Sequence, residues 1–248
     1  MPNFGHTITF NHLIHHTSGI RDQWSLQWLA GWRSDDLITE KDILDMLARQ
    51  KSLNFLPGEE YLYSNTGFTL AGIAGKRITG VSLRDYAVSV FFKPLAMTNT
   101  HFHSDHSEIT PNRTSAYYKD DKGKLKISIP FFDNYGATSL FTTVGDLAKW
   151  DENFYTKKIG GDAFFKLMLL TGELNDQTAQ NYASGLITGS YHGYKTEGHA
   201  GADAGYRTNI LRFPDEHFSV IVFANLANIN PSLLSNKLAD LFLKDKSI

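Results

Sequence analysis

Near Tyr182 the periodicity of the chain changes, and this change restricts the folds open to it more than any other feature. Downstream, Tyr182–Ser190, Tyr194–His199, Tyr206–Phe213 and Phe218–Asn225 are aromatic and β-branched runs. They are separated by His192-Gly193, by a small-residue stretch and by Pro214-Asp215-Glu216. Short runs divided by turn residues predict an antiparallel meander. The segment from Pro231 to Lys244 carries Leu233, Leu234, Leu238, Leu241 and Phe242, the pattern of an amphipathic helix that packs on a sheet.

Upstream, apolar residues recur at helical spacing. Thr9 is placed to cap a short helix stopped by Gly19, and Thr39 one that carries Ile43, Leu44 and Leu47 to about Gln50. Gly67 to Ile78 predicts a third helix ended by Gly80. Ser82 opens a fourth, with Leu83, Tyr86, Ala87 and Val90, ending before Pro94. Thr143 opens another, with Leu147, Ala148 and Trp150. The expected fold class is therefore α/β in mixed (α+β) form. Residues 1–180 are expected to form a mostly helical region, and residues 181–248 an antiparallel sheet with a C-terminal helix. The two are expected to make one fold, not two independent domains.

A net charge of −2 leaves no basic footprint for nucleic acid or an anionic membrane. The lysines from Lys119 to Lys126 alternate with Asp120, Asp121 and Gly123, which predicts a solvated hairpin or loop. With no cysteine there is no disulfide, no thiolate metal ligand and no thiol nucleophile. No apolar run is long enough for a membrane span, and no basic-then-apolar signal opens the chain. As written, it would stay in the cytoplasm.

The residues that carry chemistry centre on Leu56-Pro57-Gly58-Glu59-Glu60-Tyr61-Leu62-Tyr63-Ser64-Asn65. A phenol and a carboxamide two residues apart, between a Pro-Gly turn and a helix, are placed to converge on one spot. Three further pieces lie around it in order. His16-Thr17-Ser18-Gly19 comes before it, then Gly136-Ala137-Thr138-Ser139-Leu140 with Asp146-Leu147, then His199-Ala200-Gly201 on an expected strand followed by Gly205-Tyr206. Together they resemble the serine β-lactamase and penicillin-recognising hydrolase family, in its class C and esterase-like branch, from about Ile8 to Asn225. Phe92-Lys93-Pro94-Leu95-Ala96-Met97-Thr98-Asn99-Thr100 fits as well.

The resemblance implies a serine in a Ser-x-x-Lys motif that attacks an acyl carbonyl. It makes Tyr63 the proton-transfer group, Asn65 a donor to the substrate, and His199 the counterpart of the lysine in the family's Lys-Thr-Gly strand. Gly201 would let substrate approach that strand, and the Ala202 N–H would form part of an oxyanion hole. The substrate would be a small acyl compound: an ester, a peptide or other amide, or a β-lactam. The mechanism requires no cofactor. Members of the family are commonly periplasmic or secreted.

No lysine of the chain has a serine or threonine three residues before it, so no Ser-x-x-Lys nucleophile is found. In the family that motif precedes the segment matching Ile8–Gly19, and Met1-Pro2-Asn3-Phe4-Gly5 looks like the linker ahead of it. The expectation is a truncated chain without its nucleophile, whose sheet exposes an unpaired edge and which folds by swapping or as a homo-oligomer. Without a neighbouring lysine, Tyr63 loses a main cause of a lowered pKa. Ser64 is expected to point away from Tyr63 and Asn65, and Ser18 belongs to a helix stop.

Two other readings stand beside this one. His101, His103, Asp105 and His106 match locally the His-x-His-x-Asp-His metal motif of the metallo-β-lactamase family, which implies a zinc-dependent hydrolase, although the flanking pattern is not the strand that motif follows. The missing nucleophile also suits a non-catalytic remnant that binds a ligand or a partner. His12 and His16, four apart, are expected to cap and pack.

Overall fold

In a computed structural model of the chain, every residue is described except Met1, Asn3, Ser34 and residues 245–248. Met1 and Asn3 of the expected linker therefore lie outside the described residues. The architecture is mixed α/β, with antiparallel sheets and helices.

The downstream segment forms as its alternation requires. Strands β7 (Ile187–Tyr191), β8 (Tyr194–Asp203), β9 (Tyr206–Phe213) and β10 (Phe218–Ala224) make an antiparallel sheet in the order β10-β9-β8-β7. His192 and Gly193 both have positive φ, at 49° and 77°, as a two-residue hairpin between right-twisted strands demands. The first strand starts at Ile187 rather than Tyr182, because Tyr182 joins the sheet only through an isolated bridge to Ile187. Strand β8 runs on to Asp203, past the expected end at His199.

Alternate residues of β9 face opposite ways. Phe213 packs with Tyr194, Val220 and Ala239, beneath helix α8 (Pro231–Ala239). Arg212 faces the other side and meets Asp151 of helix α6 (Val144–Thr156). The sheet thus has a helix on each face. The C-terminal helix stops at Ala239 instead of reaching Lys244.

Local caps explain most upstream helices. Thr9 and His12 cap each other at the start of α1 (Phe10–Ile14), and Thr39 and Asp42 do so at α3 (Glu40–Ala48). Helix α4 (Asn65–Thr79) starts two residues before the expected Gly67, and Gly80 ends it at a φ of 72°. Ser82 caps α5 (Leu83–Ala87), which runs into a π-helical turn over Val88–Phe92.

Two helices are not foreseen in the periodicity, α2 (Gln23–Leu29) and α7 (Gly161–Met168). The expected stop at Gly19 is also moved, since α1 ends at Ile14 and His16 takes the left-handed φ of 58°. Gly19 serves a different purpose: a Cβ there would stand 2.1 Å from the Phe55 carbonyl oxygen. Lys119–Lys126 forms the expected hairpin, from β3 (Tyr117–Lys119) and β4 (Leu125–Ile127). Four short strands complete the fold: β1 (Ile38–Thr39) pairs with β5 (Phe132–Asp133), and β2 (His101–Phe102) with β6 (Leu140–Phe141).

Candidate active site

The segment before α4 is fastened to the turn after α1 by its own backbone. Gly58 N–H donates to Thr17 O at 2.8 Å, Leu62 N–H to His16 O at 3.0 Å, and Asn54 N–H to Gly19 O at 2.8 Å. Ser64 N–H donates to Nδ1 of His16 at 3.1 Å. The Tyr63-Ser64-Asn65 turn is thus held in place by the turn that contains His16-Thr17-Ser18-Gly19.

Asn65 opens α4, and both its backbone N–H and its Nδ2 donate to Asp22 Oδ2, at 2.7 and 2.8 Å. The other oxygen of Asp22 accepts from Trp24 N–H and Ser25 N–H and so caps α2. One donor of the Asn65 amide is therefore already committed, and its carbonyl oxygen is the end free of a hydrogen bond to a described residue. The expected role of Asn65 as a donor is correspondingly narrowed. The role of Asp22 was missed, because it joins residues far apart in sequence.

His16 is the centre of a ring cluster. Its centroid lies 4.2 Å from Tyr63, 4.4 Å from Tyr182 and 5.5 Å from Phe68, and the side chain is buried. Burial, reinforced by the nearby His199, pushes its pKa down to about 4, so the ring is neutral. With Nδ1 accepting from Ser64, the proton sits on Nε2, which has no hydrogen-bond partner among the described residues.

His199 on β8 fits the same logic. Its Nδ1 lies 2.6 Å from the Ala200 carbonyl and must donate to it, leaving Nε2 to accept from the Tyr182 hydroxyl at 3.1 Å. Burial holds His199 below the ordinary histidine range, so it too is neutral. The lysine of which it is the expected counterpart would be a cation, and this ring is not. Burial raises Tyr63 and Tyr182 above the ordinary phenol value. Tyr63 therefore keeps its proton at neutral pH.

Strand β7 pairs with β8 only as far as Gly198, opposite Ile187, so residues 199–203 have a strand neighbour on the β9 side alone among the described residues. Asp203 and Tyr206 close a two-residue turn. Counting hydrogen-bonded pairs back from there points the Ala202 N–H toward the open edge, as an oxyanion donor requires. At Gly201 the missing side chain has a local cause, because a Cβ would stand 2.4 Å from Thr208 Oγ1 across the strands. Room for substrate is not needed to explain that glycine. At the end of β8, Thr138 donates to the Asp203 carboxylate, whose pKa burial raises.

Ser18 and Ser64 are each only 2% exposed, which removes both as nucleophiles that a substrate could reach. The His101–His106 segment does not gather into one centre. His101 and His103 meet Glu108, while Asp105 and His106 meet Asp133 in a separate cluster. The four residues of the zinc motif are thus split between two places, and the zinc-hydrolase arrangement is not formed. His12 caps α1 and His16 packs, as expected of that pair, and His15 Nε2 lies 3.0 Å from the Leu170 carbonyl.

No helix among the described residues is long and apolar enough to cross a membrane. Penicillin-binding protein 4* of Bacillus subtilis (strain 168) is 26% identical over 91% of this chain and 53% of its own length. A D-aminopeptidase of Cereibacter sphaeroides is 26% identical over 91% of the chain and 44% of its own. The chain thus spans about half the length of the curated relatives it matches. An octameric penicillin-binding protein homologue from Pyrococcus abyssi has the same fold, with a TM-score of 0.83 at 24% identity over 96% of this chain and 56% of its own. The Beta-lactamase family model matches residues 2–243, which takes in Tyr63, the Gly136 turn and the His199 strand alike, and by that match the chain belongs to the Beta-lactamase family.

Proposed function

We propose that this chain supplies two walls, Tyr63–Asn65 and His199–Ala202, of a serine-hydrolase site acting on an amide, ester or β-lactam carbonyl. The observation that carries the reading is convergence: the Tyr63 phenol, the Tyr182–His199 pair and the open edge of β8 meet around His16. Amides of D-amino acids are the first substrates to test, because one relative bears the name D-aminopeptidase.

In this scheme a serine oxygen bonds to the carbonyl carbon and its proton passes through the Tyr63 phenol to the leaving amine as the C–N bond breaks. Water then releases the acid. The scheme needs a serine in a Ser-x-x-Lys motif, which residues 1–248 do not contain. That lysine would bring the cation that Tyr63 lacks here, lowering a phenol that burial now raises.

The test compares this chain with a version extended upstream to include such a segment, on a D-alanine p-nitroanilide, a p-nitrophenyl ester and a chromogenic cephalosporin. The extended protein turns over at least one of them, and Tyr63→Phe lowers its kcat/KM by ~100-fold or more. Undiminished turnover by Tyr63→Phe sinks the assignment. A second reading, ligand binding without turnover, is favoured by the burial of Ser18 and Ser64 beside the cleft, and it stands if neither version turns over while either binds one of these compounds.

A further inference from the structure

Away from the Tyr63 cluster, the segment after β2 holds an unexplained set of buried nitrogens. His103 is 3% exposed, and neither of its ring nitrogens has a hydrogen-bond partner among the described residues. Nε2 of His101 is likewise buried and unpartnered. Native structures rarely leave such groups unmatched, so each calls for a ligand or a bound solvent molecule. Ligand atoms of His101, His103 and Glu108 lie within 4.8 Å of one another. Nδ1 of His103 is 3.9 Å from Glu108 Oε2, too long for a hydrogen bond. It is slightly wider than the ~3.3 Å edge of a tetrahedron with zinc–ligand bonds of ~2.0–2.1 Å.

We propose that His101, His103 and Glu108 bind one divalent transition-metal ion, with zinc favoured by the two imidazoles and one carboxylate. The surroundings suit a ligand set. His103 stacks on Phe141 with centroids 4.5 Å apart and planes 9° from parallel, which covers its face and leaves its in-plane lone pair open. Arg84 Nη1 and Nη2 donate to the two oxygens of Glu108 at 2.5 and 2.7 Å, orienting the carboxylate as outer partners of a metal ligand do. The carboxylate keeps further lone pairs for a metal. Two cations oppose the ion, Arg84 itself and Arg113, which lies over the Phe141 ring, so the site is a moderate binder rather than a tight one. The ion would join α5, through Arg84 and Glu108, to β2. The neighbouring Asp105–His106–Asp133 cluster is different, because there the His106 ring and N–H already bond to Asp133.

The full chain, stripped with a chelator, is titrated with zinc chloride against a chromophoric competitor. One equivalent binds, and His101→Gln and His103→Gln each weaken it at least tenfold, whereas His106→Gln and Asp133→Asn leave it unchanged. X-ray absorption of the loaded protein shows two imidazoles with oxygen donors. If His103→Gln does not give native circular dichroism, the partly exposed His101 carries the test. Binding that survives His101→Gln, binding that follows His106, or no binding at ~100 µM zinc overturns the proposal.

Discussion

His16 shows how much of the site rests on one side chain. It takes a left-handed backbone, accepts the Ser64 N–H and packs between two phenols. His16→Leu leaves that N–H without a partner in a buried place, with an expected cost of about 2–3 kcal/mol at pH 7 by urea denaturation. The histidine also sets an acid limit. Its pKa falls from 6.5 when unfolded to about 4 when folded, so between those values the unfolded chain binds a proton that the folded chain does not. Its contribution to stability is full above about pH 6.5 and declines as the pH falls toward 4, by about 3 kcal/mol in all. His199, shifted in the same direction, adds to the slope. His16→Leu should flatten that slope measurably; an unchanged pH profile would assign the acid sensitivity elsewhere. Tyr63, Asn65 and His199 could be singled out as candidates because each sits in a short motif. His16 was legible only as part of a motif, since its ring cluster is made by chain that arrives later.

Among the elements, what could be read in the sequence is what is local. Thr39, Thr143 and Gly80 bound their helices where the cap residues lie, because a cap needs only its own first or last turn. Asp22 is the opposite case, joining two helices separated by the whole of α3. Asp22→Ala removes the cap of α2 and the single oxygen that accepts both Asn65 hydrogen bonds, and should cost about 2 kcal/mol or more in denaturant unfolding. It should also lower activity of an extended enzyme, where Asp22→Asn retains part of both. The β9 strand hides another such link. Arg212, 1% exposed, donates to Glu197 at 2.5 Å and also to Asp151 on α6, with its guanidinium 3.8 Å from the Phe154 ring centroid. In sequence it reads as an interruption of an apolar strand. Arg212→Met strands Asp151 and leaves Glu197 with Lys195, 3.2 Å away, as its remaining cation, and should cost about 3–5 kcal/mol, part of which Glu197→Gln restores in the double variant.

For the molecule as a whole, the meander, its helix-covered faces and the family were legible, whereas α2 and α7 were not, since their apolar faces meet partners that periodicity alone does not reveal. The sheet ends at β10, whose far side has no strand partner among the described residues. Leu233 and Leu238 of α8, with Leu241 and Phe242 beyond it, are exposed nearby. An open edge beside apolar surface favours self-association. Light scattering of the purified chain should therefore give a mass above 27.9 kDa, and Leu241→Lys with Phe242→Lys should reduce it. A stable monomer would remove that expectation. The first turn of α4, meanwhile, is gripped without side-chain padding. A Cβ on Gly67 would stand 2.3 Å from the Leu13 carbonyl oxygen, and one on Gly136 2.5 Å from that of Phe68. A search for new substrates by random mutation would find these two positions closed and the exposed Tyr61 and Leu62 open, so the protein's capacity to change what it accepts lies in the rim of its cleft while the floor is inherited unchanged.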